Sequence, residues 1–90
     1  MINKVIFRKD KSTNEIIGFI PQSDVNWGNI CGYAHEGQHF EADILYYEQQ
    51  TVGATQEECQ SLLNEMQSIY DNSLEIRQKL YRGDLSWANN

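Results

Sequence analysis

Cysteine is scarce in this sequence, and long apolar runs are missing from it. Only Cys31 and Cys59 occur among the 90 residues. Two thiols are too few for the disulfide framework of a small secreted domain, so we expect both to be reduced and buried. No run approaches the roughly 18 apolar residues of a membrane span, and residues 1–8 lack the long apolar segment of a signal peptide. These absences predict a cytoplasmic protein without a membrane partner.

Basic residues are missing from the middle of the chain. Residues 15–71 contain no Lys or Arg, but they hold ten of the 13 acidic residues. The seven basic residues lie in residues 1–14 and 72–90, and the formal net charge is −6. Duplex nucleic acid is disfavoured as a direct partner because it demands a broad basic face. A small local anion site fits the pattern, as does the simpler interpretation that these cations protect edge strands from aggregation.

Length and composition predict one small domain. A chain of 90 residues that is 40% hydrophobic can form a packed core, although at this size it buries only about 60–65% of its unfolded surface. We therefore assign residues 1–82 to a single domain and residues 83–90 to a polar C-terminal tail. The sequence shows no Gly-rich phosphate loop, activated cysteine or other catalytic set. Neither a cofactor nor an enzymatic activity is expected.

The first half of the chain has the pattern of β-strands. Residues 4–9 and 15–20 are rich in β-branched and aromatic side chains, and the turn-forming residues between them predict a hairpin. Pro21 ends its second strand. Residues 30–35 are a candidate third strand. Residues 40–49 alternate well enough for a fourth strand, and a short helix over the same stretch is the main alternative.

One helix is expected in the second half. Thr55 followed by Glu58 forms a capping box, in which the two side chains satisfy backbone N–H groups reciprocally. Residues 74–80 have the pattern of a closing strand, with a second helix as the alternative. The predicted fold is α+β: a small antiparallel sheet in the order β-β-β-β-α-β, with one amphipathic helix packed on one face. The apolar stripe of that helix consists of Cys59, Leu62, Leu63, Met66, Ile69 and Tyr70.

Residues 35–39, with the sequence HEGQH, match the H-E-x-x-H pattern of zinc hydrolases. On a helix this spacing places two imidazoles on one side of Zn²⁺ and a glutamate beside the metal-bound water. However, Gly37 interrupts the segment, no apolar helical stripe surrounds it, and no third ligand is evident downstream. A zinc hydrolase is therefore kept only as a minor alternative.

The favoured interpretation of the same segment is a polar bend at the end of a strand. Gly37 would let a ligand approach the backbone, Gln38 offers a donor and an acceptor, and His35 and His39 supply imidazoles. The simpler alternative is a turn whose histidines bond to nearby backbone and whose tyrosines are core. If the first and last strands are neighbours, their basic side chains Lys4, Arg8, Arg77 and Lys79 are expected to converge. The predicted ligand-binding residues are Arg8, Tyr33, His35, Gly37, Gln38, His39, Tyr46 and Arg77.

Four segments carry a resemblance to known proteins: KVIFRK at 4–9, EIIGFIP at 15–21, YAHEGQH at 33–39 and ATQEE at 54–58. Together they resemble a family of small uncharacterised proteins of bacteriophages and gut-bacterial mobile elements. Because that family has no established activity, the resemblance transfers no role to any residue. It implies a phage or prophage accessory protein in the cytoplasm of the infected cell, and it favours a strand over a helix at residues 74–80.

An accessory protein of this kind is expected to act by stoichiometric binding. In the first hypothesis it is a homo-oligomeric sponge that sequesters a nucleotide-like signal of host defence, with Arg or Lys side chains on the phosphates. In the second, the acidic surface of residues 41–71 mimics nucleic acid and blocks the basic groove of a host protein, as an anti-CRISPR protein would. A structural component of the virion is the third.

Overall fold

A computed structural model describes residues 3–35, 38–70 and 73–88 of the chain. The elements in these ranges are β1 (Asn3–Asp10), β2 (Ile16–Ile20), β3 (Asn29–Ala34), β4 (Gln38–Asp43), α1 (Ile44–Gln50), β5 (Thr51–Gly53), α2 (Gln56–Ile69), β6 (Leu74–Arg77) and a 3₁₀ turn, Arg82–Asp84. The sheet has the order β4-β3-β2-β1, and β5 and β6 both pair with the outer edge of β1. The α+β class is therefore confirmed.

The predicted hairpin is formed by β1 and β2, which pair antiparallel with Phe7 opposite Gly18. Its turn is organised by the carboxylate of Asp10, which accepts hydrogen bonds from the Ser12 backbone N–H at 2.7 Å and hydroxyl at 2.6 Å. The Tyr46 hydroxyl donates to the other oxygen of the same carboxylate. These bonds, led by the one from the Ser12 side chain, hold the pKa of Asp10 well below its usual range.

The Asp10 carboxylate predicts a specific acid sensitivity. Because its pKa is lower in the folded than in the unfolded chain, it stabilises the fold above pH 4 or so, and this contribution is lost as the pH falls further. Asp10→Asn should therefore lower the melting temperature at pH 7 and flatten its fall between pH 5 and pH 2. Thermal unfolding followed by circular dichroism measures both effects. Glu57→Gln, which removes the charge of an exposed carboxylate, is the control; the same flattening in that variant would contradict the prediction.

The chain between β4 and α2 departs from the predicted single strand over residues 40–49. The strand ends at Asp43, whose side chain accepts a hydrogen bond from the Leu45 N–H at 2.8 Å and so caps the short helix α1. Ile44 and Tyr47, three residues apart, form the buried side of that helix. The three-residue strand β5 follows and was not predicted. The weaker alternative, a short helix, is therefore correct for residues 44–50.

The long helix and the closing strand follow the prediction with two differences. The capping box of Thr55 and Glu58 is present in full. Of the predicted stripe, residues 59–66 supply four buried side chains, whereas Ile69 is 49% exposed. The closing strand is confirmed at Leu74–Arg77, but it pairs with β1 in parallel rather than antiparallel. In the described ranges, neither helix is long and apolar enough to cross a membrane.

Both faces of the sheet are covered, which gives the core two halves. On the first face, α2 packs on side chains that include Val5, Phe7 and Tyr33. On the second, α1 and the segment after β6 pack on a cluster that contains Phe19 and Leu85. Leu85 is only 2% exposed. Residues 83–88 thus belong to the packed domain, and the predicted separation of a polar tail at residue 83 is wrong for this part of it.

Candidate functional site

The HEGQH segment connects two antiparallel strands. His35 follows the end of β3, while His39 lies in β4 directly opposite Tyr33. The two imidazoles are consequently not one turn apart on a helix, which is the arrangement that the zinc-hydrolase alternative requires. Among the described residues, no group of three or more His, Cys, Asp or Glu side chains is placed to hold a metal ion.

The two histidines instead contact side chains of α2 and its C-terminal end. His35 Nδ1 lies 3.1 Å from Glu65 Oε1, and the hydroxyl of Tyr33 donates to the other oxygen of that carboxylate. His39 Nε2 lies 2.6 Å from the hydroxyl of Tyr70, and burial raises the pKa of this tyrosine. Tyr33, His35 and His39, three of the predicted site residues, therefore lie on the face of the sheet that α2 covers. Their contacts with Glu65 and Tyr70, which are 30 or more residues away in sequence, connect β3 and β4 to α2.

Two other predicted site residues lie on the opposite face. The Arg8 guanidinium donates from Nε to Thr51 Oγ1 at 3.0 Å and stacks over the ring of Tyr47 at 4.7 Å. Tyr46 is bonded to the Asp10 carboxylate. Because neighbouring residues of a strand point to opposite faces, Arg8 is separated from the histidines by the sheet itself. The predicted eight-residue ligand site is therefore not assembled as one site.

The remaining predicted residues give a mixed result. Arg77 ends β6 at the far edge of the sheet, where its guanidinium pairs with Glu75 at 3.1 Å. The first and last strands are neighbours, as the convergence hypothesis required, but Arg77 and Arg8 each have contacts of their own. Gln38 is the first residue of β4. Gly37 lies outside the described residues.

A groove runs along β4 on the same side of the sheet as His39. Its volume is about 440 Å³. Two carboxylates, those of Asp24 and Glu41, face it from the loop after β2 and from the strand. We call it the β4 groove and define it by its lining residues Ser23, Asp24, Val25, Cys31, His39, Phe40 and Glu41.

The carboxylate of Glu41 is held in a fixed position. Its Oε1 accepts hydrogen bonds from the backbone N–H of Asn26 at 3.0 Å and from the side-chain amide of Asn29 at 3.1 Å. These bonds, chiefly the one from Asn29, lower the pKa of Glu41. The groove also contains Cys31, whose thiol pKa is raised by burial. At neutral pH the groove therefore presents a positioned negative charge beside a neutral thiol.

An exposed tryptophan stands in the loop that holds Glu41. Trp27 is 79% exposed, although its ring lies 5.2 Å from that of Trp87. Trp87 in turn donates its indole N–H to the backbone carbonyl of Asn29 at 2.7 Å. The aromatic surface is thus anchored from the C-terminal segment and faces solvent next to the residues that position Glu41.

The sequence analysis missed the residues that shape this surface. Glu41 and Glu65 were considered only as parts of the acidic surface of residues 41–71, and Tyr70 only as part of the apolar stripe of the helix. Asp24 and Trp27 were not proposed as site residues. A signal was present for Trp27, because a large aromatic residue in an otherwise polar loop is unusual in a small domain. The contacts of Glu41 could not be anticipated, since they depend on how the loop folds back on β4.

Scans of this chain against protein-family models, curated proteins and solved structures found no match.

Proposed function

We propose that this chain is a phage-type accessory protein that acts in the cytoplasm by stoichiometric binding, and that its β4 groove takes an extended basic segment of a host protein. The observation that carries the proposal is the fixed carboxylate of Glu41, placed with Asp24 in a groove beside the terminal strand of the sheet. The proposal follows the second hypothesis, in which an acidic surface binds a host protein, rather than the nucleotide sponge.

Charge complementarity supports a basic partner. Residues 15–71, which build β2, β3, β4 and both helices, contain no Lys or Arg. The seven basic residues lie in β1 and its turn, or in β6 and the segment after it, and four of them, Lys4, Lys9, Arg77 and Arg82, already pair with carboxylates. The β4 side of the molecule therefore has a negative field, which steers cationic partners toward it.

The strand edge supports an extended partner. β4 pairs only with β3 among the described strands, so alternate N–H and C=O groups of its outer edge point away from the sheet. A partner strand can add to such an edge through main-chain hydrogen bonds. A second copy of β4 suits this edge poorly, because Glu41 and Asp43 would face the same carboxylates across the pair. Lysine or arginine at alternate positions of the partner would instead meet opposite charges, and Trp27 offers a cation–π surface.

The acids of α2 support the proposal less. Glu58 belongs to the capping box and pairs with Lys9 at 2.6 Å, and Glu65 is bonded to Tyr33 and His35. Both carboxylates therefore form hydrogen bonds that connect α2 to the rest of the domain. A nucleotide ligand is also supported less, since its phosphates need cations, and Arg8 lies on the opposite face from His35 and His39.

A peptide titration tests the proposal. The probe is an eight-residue peptide of alternating Lys and Thr, with a Gln-Thr peptide as its uncharged counterpart, and the combined emission of Trp27 and Trp87 reports binding. We expect the lysine peptide to bind, and the double variant Asp24→Asn, Glu41→Gln to weaken its affinity about tenfold, as loss of two complementary charges predicts. Glutamine at position 41 retains an acceptor for Asn26 and Asn29, so the loop should keep its shape.

The matched control removes two charges elsewhere. The double variant Glu15→Gln, Glu57→Gln changes the net charge by the same amount, at exposed side chains outside the groove. Its affinity for the lysine peptide should change less than threefold, the size of effect that exposed charges away from a binding site usually have. Equal weakening by the two double variants would show that net charge alone attracts the peptide. A lysine peptide methylated on alternate backbone nitrogens should bind weakly; unchanged binding would refute strand addition.

A further inference from the structure

A second open strand edge lies at the opposite end of the sheet from β4. Among the described strands, β6 pairs only with β1. The backbone N–H of Asn3 in β1 donates to the carbonyl of Ser73 at 2.7 Å, and this bond fixes which residues of the parallel strand β6 face β1. Glu75 and Arg77 direct their backbone groups toward β1, whereas Ile76 directs its N–H and C=O away from it. The outer edge of β6 can therefore bond to another strand.

The side chains of β6 differ between the two faces of the sheet. Ile76 is level with Val5 of β1, so it lies on the face that α2 covers. Val5 is fully buried there, whereas Ile76 remains 47% exposed. Glu75 and Arg77, the neighbours of Ile76 in sequence, project from the opposite face. β6 therefore carries an incompletely covered apolar side chain on one face, and a carboxylate and a guanidinium on the other.

Two β6 strands match each other in one antiparallel register. A twofold axis at Ile76 places this residue opposite itself, where the two copies exchange both backbone hydrogen bonds. Glu75 of each copy then lies opposite Arg77 of the other. A register shifted by two residues would instead place Glu75 opposite Glu75, or Arg77 opposite Arg77. Because opposite charges stabilise such a pair and like charges destabilise it, the sequence of β6 favours the register centred on Ile76.

We propose that the outer edge of β6 binds a second copy of this chain in that register. The two Ile76 side chains then cover one another on the α2 face, and two pairs of Glu75 with Arg77 form on the other face. Arg77 already contacts Glu75 of its own chain through one nitrogen at 3.1 Å, but a guanidinium has five N–H donors and can hold a second carboxylate. The contact is isologous, as expected for a closed dimer.

The chemistry of the two sheet edges explains why only this one suits a second copy. Charges of one sign on an edge strand oppose self-pairing, which is the case for Glu41 and Asp43 in β4. Glu75 and Arg77 have opposite signs and attract across the pair. The two β4 edges lie at the far ends of the combined sheet, so their grooves stay open. A pair of four-residue strands buries less than the roughly 1,200 Å² of a stable interface, and the dimer should therefore exchange with monomer at micromolar concentrations.

Charge exchange tests the pairing, with sedimentation equilibrium of the full chain as the measurement. The unmodified chain should pass from monomer to dimer as its concentration rises toward the millimolar range. Glu75→Arg places two arginines opposite one another and Arg77→Glu two glutamates, so each variant alone should dimerise about tenfold more weakly. A mixture of these variants should form a mixed dimer, because each pair then joins arginine to glutamate. Both variants keep a negative net charge, so overall charge cannot attract them.

Two controls separate this pairing from other effects of charge. The double variant Glu75→Arg, Arg77→Glu should dimerise like the unmodified chain, because the exchange preserves both pairs. Lys79→Glu reverses one charge, as Arg77→Glu does, but outside β6, and it should also keep the dimer. Glu75 and Arg77 are about half exposed, so the melting temperatures of the monomers should change little.

The location of the contact is measured by amide chemical shifts in ¹H–¹⁵N spectra at rising concentration. We expect the shifts to centre on Leu74 and Ile76, whose N–H groups point to the second copy. A chain that stays monomeric at millimolar concentration, a mixture of the two variants that stays monomeric, or equal weakening by Lys79→Glu would each overturn the proposal. So would shifts centred on β4 or growth beyond two copies, since a closed pair leaves no free β6 edge. Because the β4 groove is tested with a peptide, failure of one proposal leaves the other unaffected.

Discussion

Leu85→Ala is expected to lower the free energy of unfolding by about 2–5 kcal/mol, the usual cost of emptying a buried leucine site. Leu85 is 2% exposed and packs in the same cluster as Ile6, Ile17 and Phe19, which come from the first hairpin. A domain of this size is typically stable by only about 5 kcal/mol or somewhat more. The variant should therefore be partly unfolded at moderate urea concentrations, and urea denaturation followed by circular dichroism measures the change.

Leu45→Ala supplies the control for the same chemical change at an exposed position. Leu45 is 50% exposed in α1, so its truncation should change the stability by no more than about 0.5 kcal/mol. Equal stabilities of the two variants would mean that residues 83–88 do not cover the second face of the sheet. Removal of residues 83–90 should destabilise the domain further, because Trp87 is then lost as well.

Gly32→Ala is expected to destabilise the domain by about 1–3 kcal/mol, the range of steric overpacking. A Cβ atom at this position would lie 2.6 Å from Phe40 Cζ, with two more ring atoms at 2.9 and 3.0 Å. The Phe40 ring lies across Gly32 from the neighbouring strand, so the whole ring must move to admit a methyl group. Chemical denaturation of the purified variant measures the loss.

Two further variants separate this steric effect from the general effect of replacing glycine. Gly53→Ala places a Cβ in open space, with nothing within 4 Å, so it should be neutral or slightly stabilising. Adding Phe40→Ala to Gly32→Ala removes the clash, and the two changes together should cost less than the sum of the separate changes. Strict additivity would show that the ring and the glycine are not in contact.

The hairpin and the main helix could be predicted because their signals are local. The β-branched strands around a turn and the Thr55–Glu58 capping box act within a few residues of one another. The helix α1 was predicted only as the alternative, because residues 40–49 are compatible with both periods and the seven residues of α1 are too few to separate them. The side chain that decides the matter is Asp43, which caps the helix and ends the strand.

The candidate site was only partly predictable. Tyr33, His35 and His39 do lie together, and the strand pairing of Tyr33 with His39 follows from a short connection. Arg8 was placed with them in the predicted site, although it lies on the other face. Alternation along β1 places Arg8 on the same face as Ile6, but only the packing of α2 against Tyr33 and its neighbours establishes that this face is opposite to that of the histidines.

By itself, the sequence determined the α+β class, the first three strands, the long helix and the separation of basic from acidic residues along the chain. These depend on residue type and on spacing within single elements. The tertiary structure alone decided that residues 83–88 cover a face of the sheet, that the histidines contact Glu65 and Tyr70, and that a groove runs along β4. Each of these results comes from side chains distant in sequence, whose contacts depend on strand register and packing rather than on any local pattern.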